Sequence, residues 1–146
     1  MATYSFTDVT ASISGPTGVI DLGYGSASSE EGITVAMAGP KNTMTIGADG
    51  EVMQSLHADK SGTVTVNLLK TSPTNKKLSL AYNAQSQSSA TWGNNVIVIR
   101  NTASGDISTA RSCAFQKQPD FNNAKEGGTV AWVFDCGKID QLLGEF

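Results

Sequence analysis

Apolar residues alternate with polar ones over most of this chain, and the period becomes helical in a single stretch. The segment Lys41 to Pro73 holds the fullest pattern. Asn42 to Ile46 places Met44 and Ile46 on one side and Thr43 and Thr45 on the other, the signature of a half-buried strand. Ala48-Asp49-Gly50 then predicts a tight turn, because glycine takes the positive φ that hairpin turns require. A second strand is expected from Glu51 to about His57. After a polar turn over Ala58 to Gly62, the run Thr63-Val64-Thr65-Val66-Asn67-Leu68 alternates again, so three consecutive strands read as a meander. Ser72 can cap a helix that has Pro73 in its first turn, where a missing N–H costs nothing.

The remaining segments read in the same terms. Thr3 to Ile13 is expected to be extended, with a bulge or bend near Asp8, where the apolar parity shifts from Tyr4 and Phe6 to Val9, Ala11 and Ile13. Val19 to Leu22 is a short strand, and Gly23 to Gly32 a small, polar, glycine-rich loop. Ile33 to Met37 resumes the strand pattern until Gly39-Pro40. From Pro73 to about Gln85, Leu78, Ala81 and Tyr82 fall at helical spacing. Val96-Ile97-Val98-Ile99 reads as a strand buried on both faces. Ile107 to Gln116 is extended, with Arg111 awkwardly sharing the parity of Cys113 and Phe115. Gln118 to Gly128 is a loop, Thr129 to Cys136 a strand presenting Val130, Trp132 and Phe134 to one side, and Ile139, Leu142 and Leu143 suggest a final helical turn. The expected fold is therefore mainly β, a β-sandwich or barrel of about eight strands with one flanking α-helix, over a single domain spanning 1–146.

Composition narrows the function. Only 16% of the residues are charged, so serine, threonine, asparagine and glycine carry most of the surface polarity, a composition compatible with self-association. A net charge of -3 argues against a dedicated nucleic-acid binder. No apolar run has the length of a membrane span and the N-terminus has no signal-peptide pattern, which gives the expectation of a cytosolic product without a membrane anchor. Cys113 and Cys136 then read as reduced and packed, although both fall in strands that could be neighbours, which leaves a disulfide open.

Motifs for catalysis and cofactors are missing. His57 is the sole histidine and no G-x-S-x-G elbow accompanies it. Cys113, Cys136 and His57 lack metal-ligand spacing, and Gly47-Ala48-Asp49-Gly50-Glu51 lacks the Lys-Ser/Thr ending of a phosphate loop. The reading is of a non-enzyme with no cofactor. Trp132 reads as core. Trp92 is either a core cap or an exposed contact, and with Tyr24 it supports an alternative reading as a carbohydrate- or receptor-binding β-sandwich module.

The segments MATYSFTDVTASISGP, EEGITV, KNTMTIGADGEVMQSLHADKSGTVTVNLLKTSP and EGGTVAWVFDCGKID resemble the tail tube protein of contractile-tailed bacteriophages, and the likeness runs through nearly the whole chain. The resemblance implies a β subunit that forms homohexameric rings. These stack into a hollow tube, similar in architecture to the type VI secretion tube. The tube sits inside a contractile sheath and passes DNA without binding it specifically. The implied partners are further copies of the chain, the tail sheath protein, and tape measure, baseplate and tail-terminator proteins, in a virion tail assembled in the host cytoplasm. Stacking rings need protruding elements, for which the hairpin residues Met44, Ile46, Asp49, Gly50 and Val52 and the loop residues Tyr24, Glu30 and Glu31 are candidates. Thr63, Thr65 and Asn67 are candidates to face the channel or a neighbour.

Overall fold

The computed structural model describes residues 2–26 and 28–146, with the side chains of residues 28–31 outside the description. A 3-10 turn (Phe6–Asp8) precedes β1 (Val9–Gly15), β2 (Gly18–Asp21), β3 (Ser28–Met37), β4 (Asn42–Ile46), β5 (Val52–Leu56) and β6 (Gly62–Leu69). Helix α1 (Thr74–Gln85) follows, then β7 (Asn95–Asn101), β8 (Ile107–Phe115) and β9 (Thr129–Leu142). Among the described residues the fold is mainly β, nine strands with a single α-helix. Seven strands form one antiparallel sheet in the order β2-β1-β7-β8-β9-β6-β3, while β4 and β5 pair only with each other.

One face of the large sheet is buried, and the alternation in the sequence says which. Val64, Val66 and Leu68 of β6 are fully buried, beside Val130, Trp132 and Phe134 of β9, and Ala11, Ile13 and Ile97 complete the same core from β1 and β7. An aromatic cluster stands at its centre. Phe115 lies 4.8 Å from Phe134, 5.5 Å from Tyr82 and 5.9 Å from Trp132, ring centroid to centroid, and edge contacts of this kind add to plain area burial. Helix α1 contributes Leu78 and Ala81. Ser72 accepts a hydrogen bond from the Thr74 amide at 3.2 Å, and Pro73 sits at φ -67°, so the helix starts where its capping residues put it.

Several expectations change. The meander does not form: β6 pairs with β3 and β9, and β4–β5 stands apart with its side chains almost wholly exposed, so β4 is not half-buried. The parity shift near Asp8 is a 3-10 turn capped by Ser5 rather than a bulge in a longer strand. Residues 28–32 belong to β3 rather than to a loop, and residues 22–26 are tied to β1 by Leu22 N–H to Ala11 C=O (2.9 Å) and Tyr24 N–H to Val9 C=O (3.1 Å). Strand β7 buries Asn95, Ile97 and Asn101 but leaves Val96 and Val98 only partly buried, so it is not buried on both faces.

The last correction explains Arg111. Strand β8 changes face at a bulge in its pairing with β7, and β9 follows it in register: Asn95 faces Cys113 but Ile97 faces Ala110, so β8 carries one extra residue there. Ser112 takes φ 53° at this point, the one positive φ outside glycine among the described residues. Opposite it, a Cβ on Gly137 would come within 3.1 Å of the Ser112 Cβ, so the glycine admits the close approach. Beyond the bulge Ile139 is buried in place of the expected parity, and the chain continues as strand to Leu142 instead of turning into a helix. Arg111 thereby points outward, where its Nη1 meets Asp140 Oδ2 at 2.9 Å.

Asp140 also lies 3.4 Å from Lys60 and 4.0 Å from Lys138. Arg111 and Lys138 are direct cross-strand partners, a like-charge pair that would repel without the carboxylate between them. Desolvation pushes the Asp140 pKa up, but the Lys60 hydrogen bond and the charges of Lys138, Lys60 and Arg111 outweigh it and hold the group below its ordinary value. A carboxylate depressed in the folded state stabilises fully above its unfolded pKa of about 4, and that contribution is lost as pH falls through the lower folded value.

A reciprocal amide pair fixes the helix to the sheet. Gln85 Nε2 donates to Asn95 Oδ1 (2.9 Å) and Asn95 Nδ2 donates to Gln85 Oε1 (2.7 Å), while Gln85 also reaches Thr17 Oγ1 (3.0 Å) and Asn95 the Cys113 carbonyl (3.1 Å). Both side chains are buried, so neither can turn to water if its partner is lost. We expect Gln85→Leu to destabilise the free subunit by about 2–3 kcal/mol in urea unfolding, the cost of orphaning a buried amide. Asp140→Asn should lower the melting temperature at neutral pH and flatten the loss of stability on acidification through about pH 4. A pH profile parallel to that of the unsubstituted protein would show that the cation cluster contributes nothing.

Candidate assembly interface

The hairpin β4–β5 is an outward continuation of the β3–β6 ribbon. Met37 pairs with Gly62 at the end of the sheet, and Ala38 N–H still reaches Ser61 C=O (3.0 Å). Gly39-Pro40 then interrupts the ladder, since proline brings no N–H. Pairing resumes with His57 N–H to Lys41 C=O (2.9 Å) and Asn42 opposite Leu56, shifted by one residue relative to the inner ribbon. The tip is tight. Gly50 N–H bonds Gly47 C=O (3.0 Å), Gly47 N–H bonds Glu51 C=O (2.8 Å), the Asp49 carboxylate accepts from the Glu51 amide (3.1 Å), and Gly50 takes φ 87°. The Asp-Gly turn is therefore formed where the sequence predicts it.

The register sorts the hairpin into two unlike faces. Met44, Ile46, Val52 and Leu56 share one face with the Asn42–Gln54 amide bond (2.7 Å). Thr43, Thr45, Met53 and Ser55 share the other, where Thr43 Oγ1 lies 2.6 Å from His57 Nε2. The four apolar side chains are 55%, 60%, 53% and 82% exposed. Complete burial of such a side chain is worth about 1.5–3 kcal/mol, and more than half of each remains to be buried, so covering the face would contribute on the order of 4–8 kcal/mol. A two-stranded hairpin alone in water is marginal. Its alternation is thus the pattern of an element completed by a contact outside this chain.

A second surface lies on the outer face of β3, β6 and β9. Thr65 faces Thr34 on one side and Val133 on the other, Thr63 faces Ala36 and Asp135, and Asn67 faces Ala131 and donates to the Gly32 carbonyl at 3.1 Å. Since Val64, Val66 and Leu68 are fully buried, the Thr63, Thr65 and Asn67 side of β6 is its outer side. Among these partners Asp135 is the charged residue, and it accepts from Gln116 Nε2 at 3.2 Å. Thr34, Ala36, Ala131 and Val133 are hydroxyl or small apolar residues. Strands β2 and β3 end the sheet with open edges among the described residues, a row of unpaired backbone groups suited to strand addition.

The other sequence candidates lie apart from the hairpin. Tyr24 is 65% exposed in the connection between β2 and β3. The side chains of Glu30 and Glu31 lie outside the described residues, although their backbone belongs to β3. Trp92 packs edge-on against Tyr82 at 6.0 Å and near Phe115 at 6.4 Å, which makes it a cap on the aromatic core. A groove of about 450 Å³, lined by Tyr4, Phe6, Ile33 and Ile99 together with the polar Arg100 and Asp106, was not foreseen. Its lining comes from five separate segments, and no local sequence signal marks it.

Known proteins place this geometry. Among curated proteins none matches the sequence. Solved structures match in fold at very low identity. A chain from the sheath–tube complex of an extracellular contractile injection system in its extended state superposes with a TM-score of 0.59 at 9% identity, over 97% of this chain and 92% of the other. A chain from the sheath/tube terminator of such a system gives 0.62 at 9% identity over 97% and 98%. One from the tube-terminating cap of the anti-feeding prophage gives 0.55 at 10% identity over 99% and 95%. The family model of the bacteriophage PhiTE tail tube protein matches residues 1–144, so the chain belongs to that family of phage tail tube proteins.

Proposed function

We propose that this tail tube protein assembles into homohexameric rings that stack into the inner tube of a contractile phage tail. The observation that carries the proposal is the hairpin β4–β5, which extends from a well-packed subunit with one apolar face uncovered. Within a ring, the open edges of β2 and β3 give each subunit a way to continue its sheet into the next. Between rings, Met44, Ile46 and Val52 supply the buried contact, with Asp49-Gly50 setting the turn that aims them. Such a contact is heterologous and therefore propagates without closing, as a tube requires.

The hydroxyl face of Thr63, Thr65 and Asn67 is the surface we assign to the channel. Phosphate backbones are held by lysine and arginine, and the cross-strand partners of Thr63 and Thr65 and of Asn67 on β9, namely Thr34, Ala36, Ala131, Val133 and Asp135, include neither, so DNA would pass this stretch without being retained. The subunit acts as a structural component of the virion tail with no catalytic step, assembled in the host cytoplasm. Its partners are further copies of itself, the tail sheath protein, the terminator and baseplate proteins, and a tape measure protein. The sheath–tube, terminator and baseplate complexes that contain proteins of similar fold support the sheath, terminator and baseplate partners.

Two substitutions test the hairpin. Replacing Ala48-Asp49-Gly50 by a proline-containing sequence should leave the circular dichroism of the free subunit unchanged and abolish tubes in negative-stain electron microscopy. Gly50→Val, which forces a β-branched residue to φ 87°, should weaken the hairpin by about 1 kcal/mol or more and raise the protein concentration needed for tube growth. Tubes of normal length and yield from the proline variant would refute the stacking role.

A further inference from the structure

Cys113 and Cys136 are directly opposed on β8 and β9, both buried, with their sulfurs 3.0 Å apart. Neither has a role in the tube surfaces described above. We propose that they form a covalent modification site: a native dithiol that hydrogen peroxide closes to an intrachain disulfide without rearrangement of the sheet.

Three observations support the site. Directly opposed cysteines of adjacent antiparallel strands already bring their Cβ atoms close to the separation a disulfide needs. The sulfurs are in mutual contact, so closure needs no diffusion of one thiol to the other. The pair also borders the Ser112 bulge, the point at which the β7–β8 ladder is interrupted and a small oxidant can reach the sulfurs by local opening.

The two thiols differ in role. Cys113 S–H donates to Cys136 Sγ, which raises the Cys113 pKa, and burial raises it further. Accepting that hydrogen bond lowers the Cys136 pKa, against the opposing effects of burial and the Asp135 charge. Cys136 is thus the nucleophile. Its thiolate attacks one oxygen of hydrogen peroxide; the S–O bond forms, the O–O bond breaks, and hydroxide leaves, so sulfur is oxidised to the sulfenic acid as peroxide is reduced. Cys113 sulfur then attacks Cys136 sulfur. The S–S bond forms, the S–O bond breaks, and the departing hydroxide takes the Cys113 proton as water. Two thiols and one hydrogen peroxide become one disulfide and two waters. The product ties β8 to β9 at the Cys113–Cys136 pair.

The test is made on the reduced, folded, full-length protein treated with hydrogen peroxide, acid-quenched, unfolded, alkylated and digested. Mass spectrometry should find the Cys113 and Cys136 peptides joined, with two hydrogens lost, no intermolecular dimer, and full recovery of both thiols on reduction. In Cys113→Ser, dimedone should label Cys136 as the sulfenic acid; in Cys136→Ser, Cys113 should react at least about tenfold more slowly. Two thiols that both remain alkylatable after peroxide, or that reach sulfinic acid without an S–S bond, would overturn the site. Equal labelling of the two variants would overturn the assignment of the nucleophile. Since the readout is the bond itself, it is independent of whether tubes form.

Discussion

The pairing of β3 with β6 is the constraint on which the molecule turns. Its inner half is bonded into the large sheet, where Val64, Val66 and Leu68 of β6 close the core against β9. Its outer half leaves the sheet past Gly39-Pro40 and carries the same alternation into solvent as β4–β5. One ribbon therefore does two jobs. The inner part is satisfied by this chain, and the outer part has four apolar side chains that this chain does not cover.

The rest of the subunit holds that ribbon in place. Aromatic packing around Phe115 and the Gln85–Asn95 amide pair secure the helix and the centre of the sheet, so the projecting hairpin rises from a scaffold with little freedom. The bulge at Ser112 lets β8 and β9 change face together and continue as strands, which brings Arg111 out to Asp140 and Ile139 into the core. Low surface charge fits the same account. A surface made polar by hydroxyls and amides carries little like-charge repulsion, which suits the proposed packing of copies against one another.

Much of this is legible in the sequence where a local rule governs. The alternation of β6 and of Thr129 to Cys136, the Asp-Gly turn, and the Ser72-Pro73 helix start all appear at their expected positions. Alternation reports that one face of a strand will be buried, however, and not what will bury it, so β4 reads the same whether it is covered by its own core or by another molecule. Ile139, Leu142 and Leu143 imitate helical spacing because the parity resets beside Gly137, and Arg111 looks inward for the same reason. The Gln85–Asn95 pair and the groove near Arg100 join residues from separate segments, and no local pattern encodes such meetings.

The central claim is that β4–β5 is completed only in the assembled state. Amide hydrogen exchange measured on the free subunit and on assembled tubes addresses it directly. Residues 42–56 should exchange rapidly in the free subunit, while β6 and β9 are already protected, and should become strongly protected in tubes. Equal, rapid exchange of these amides in both states would contradict the account.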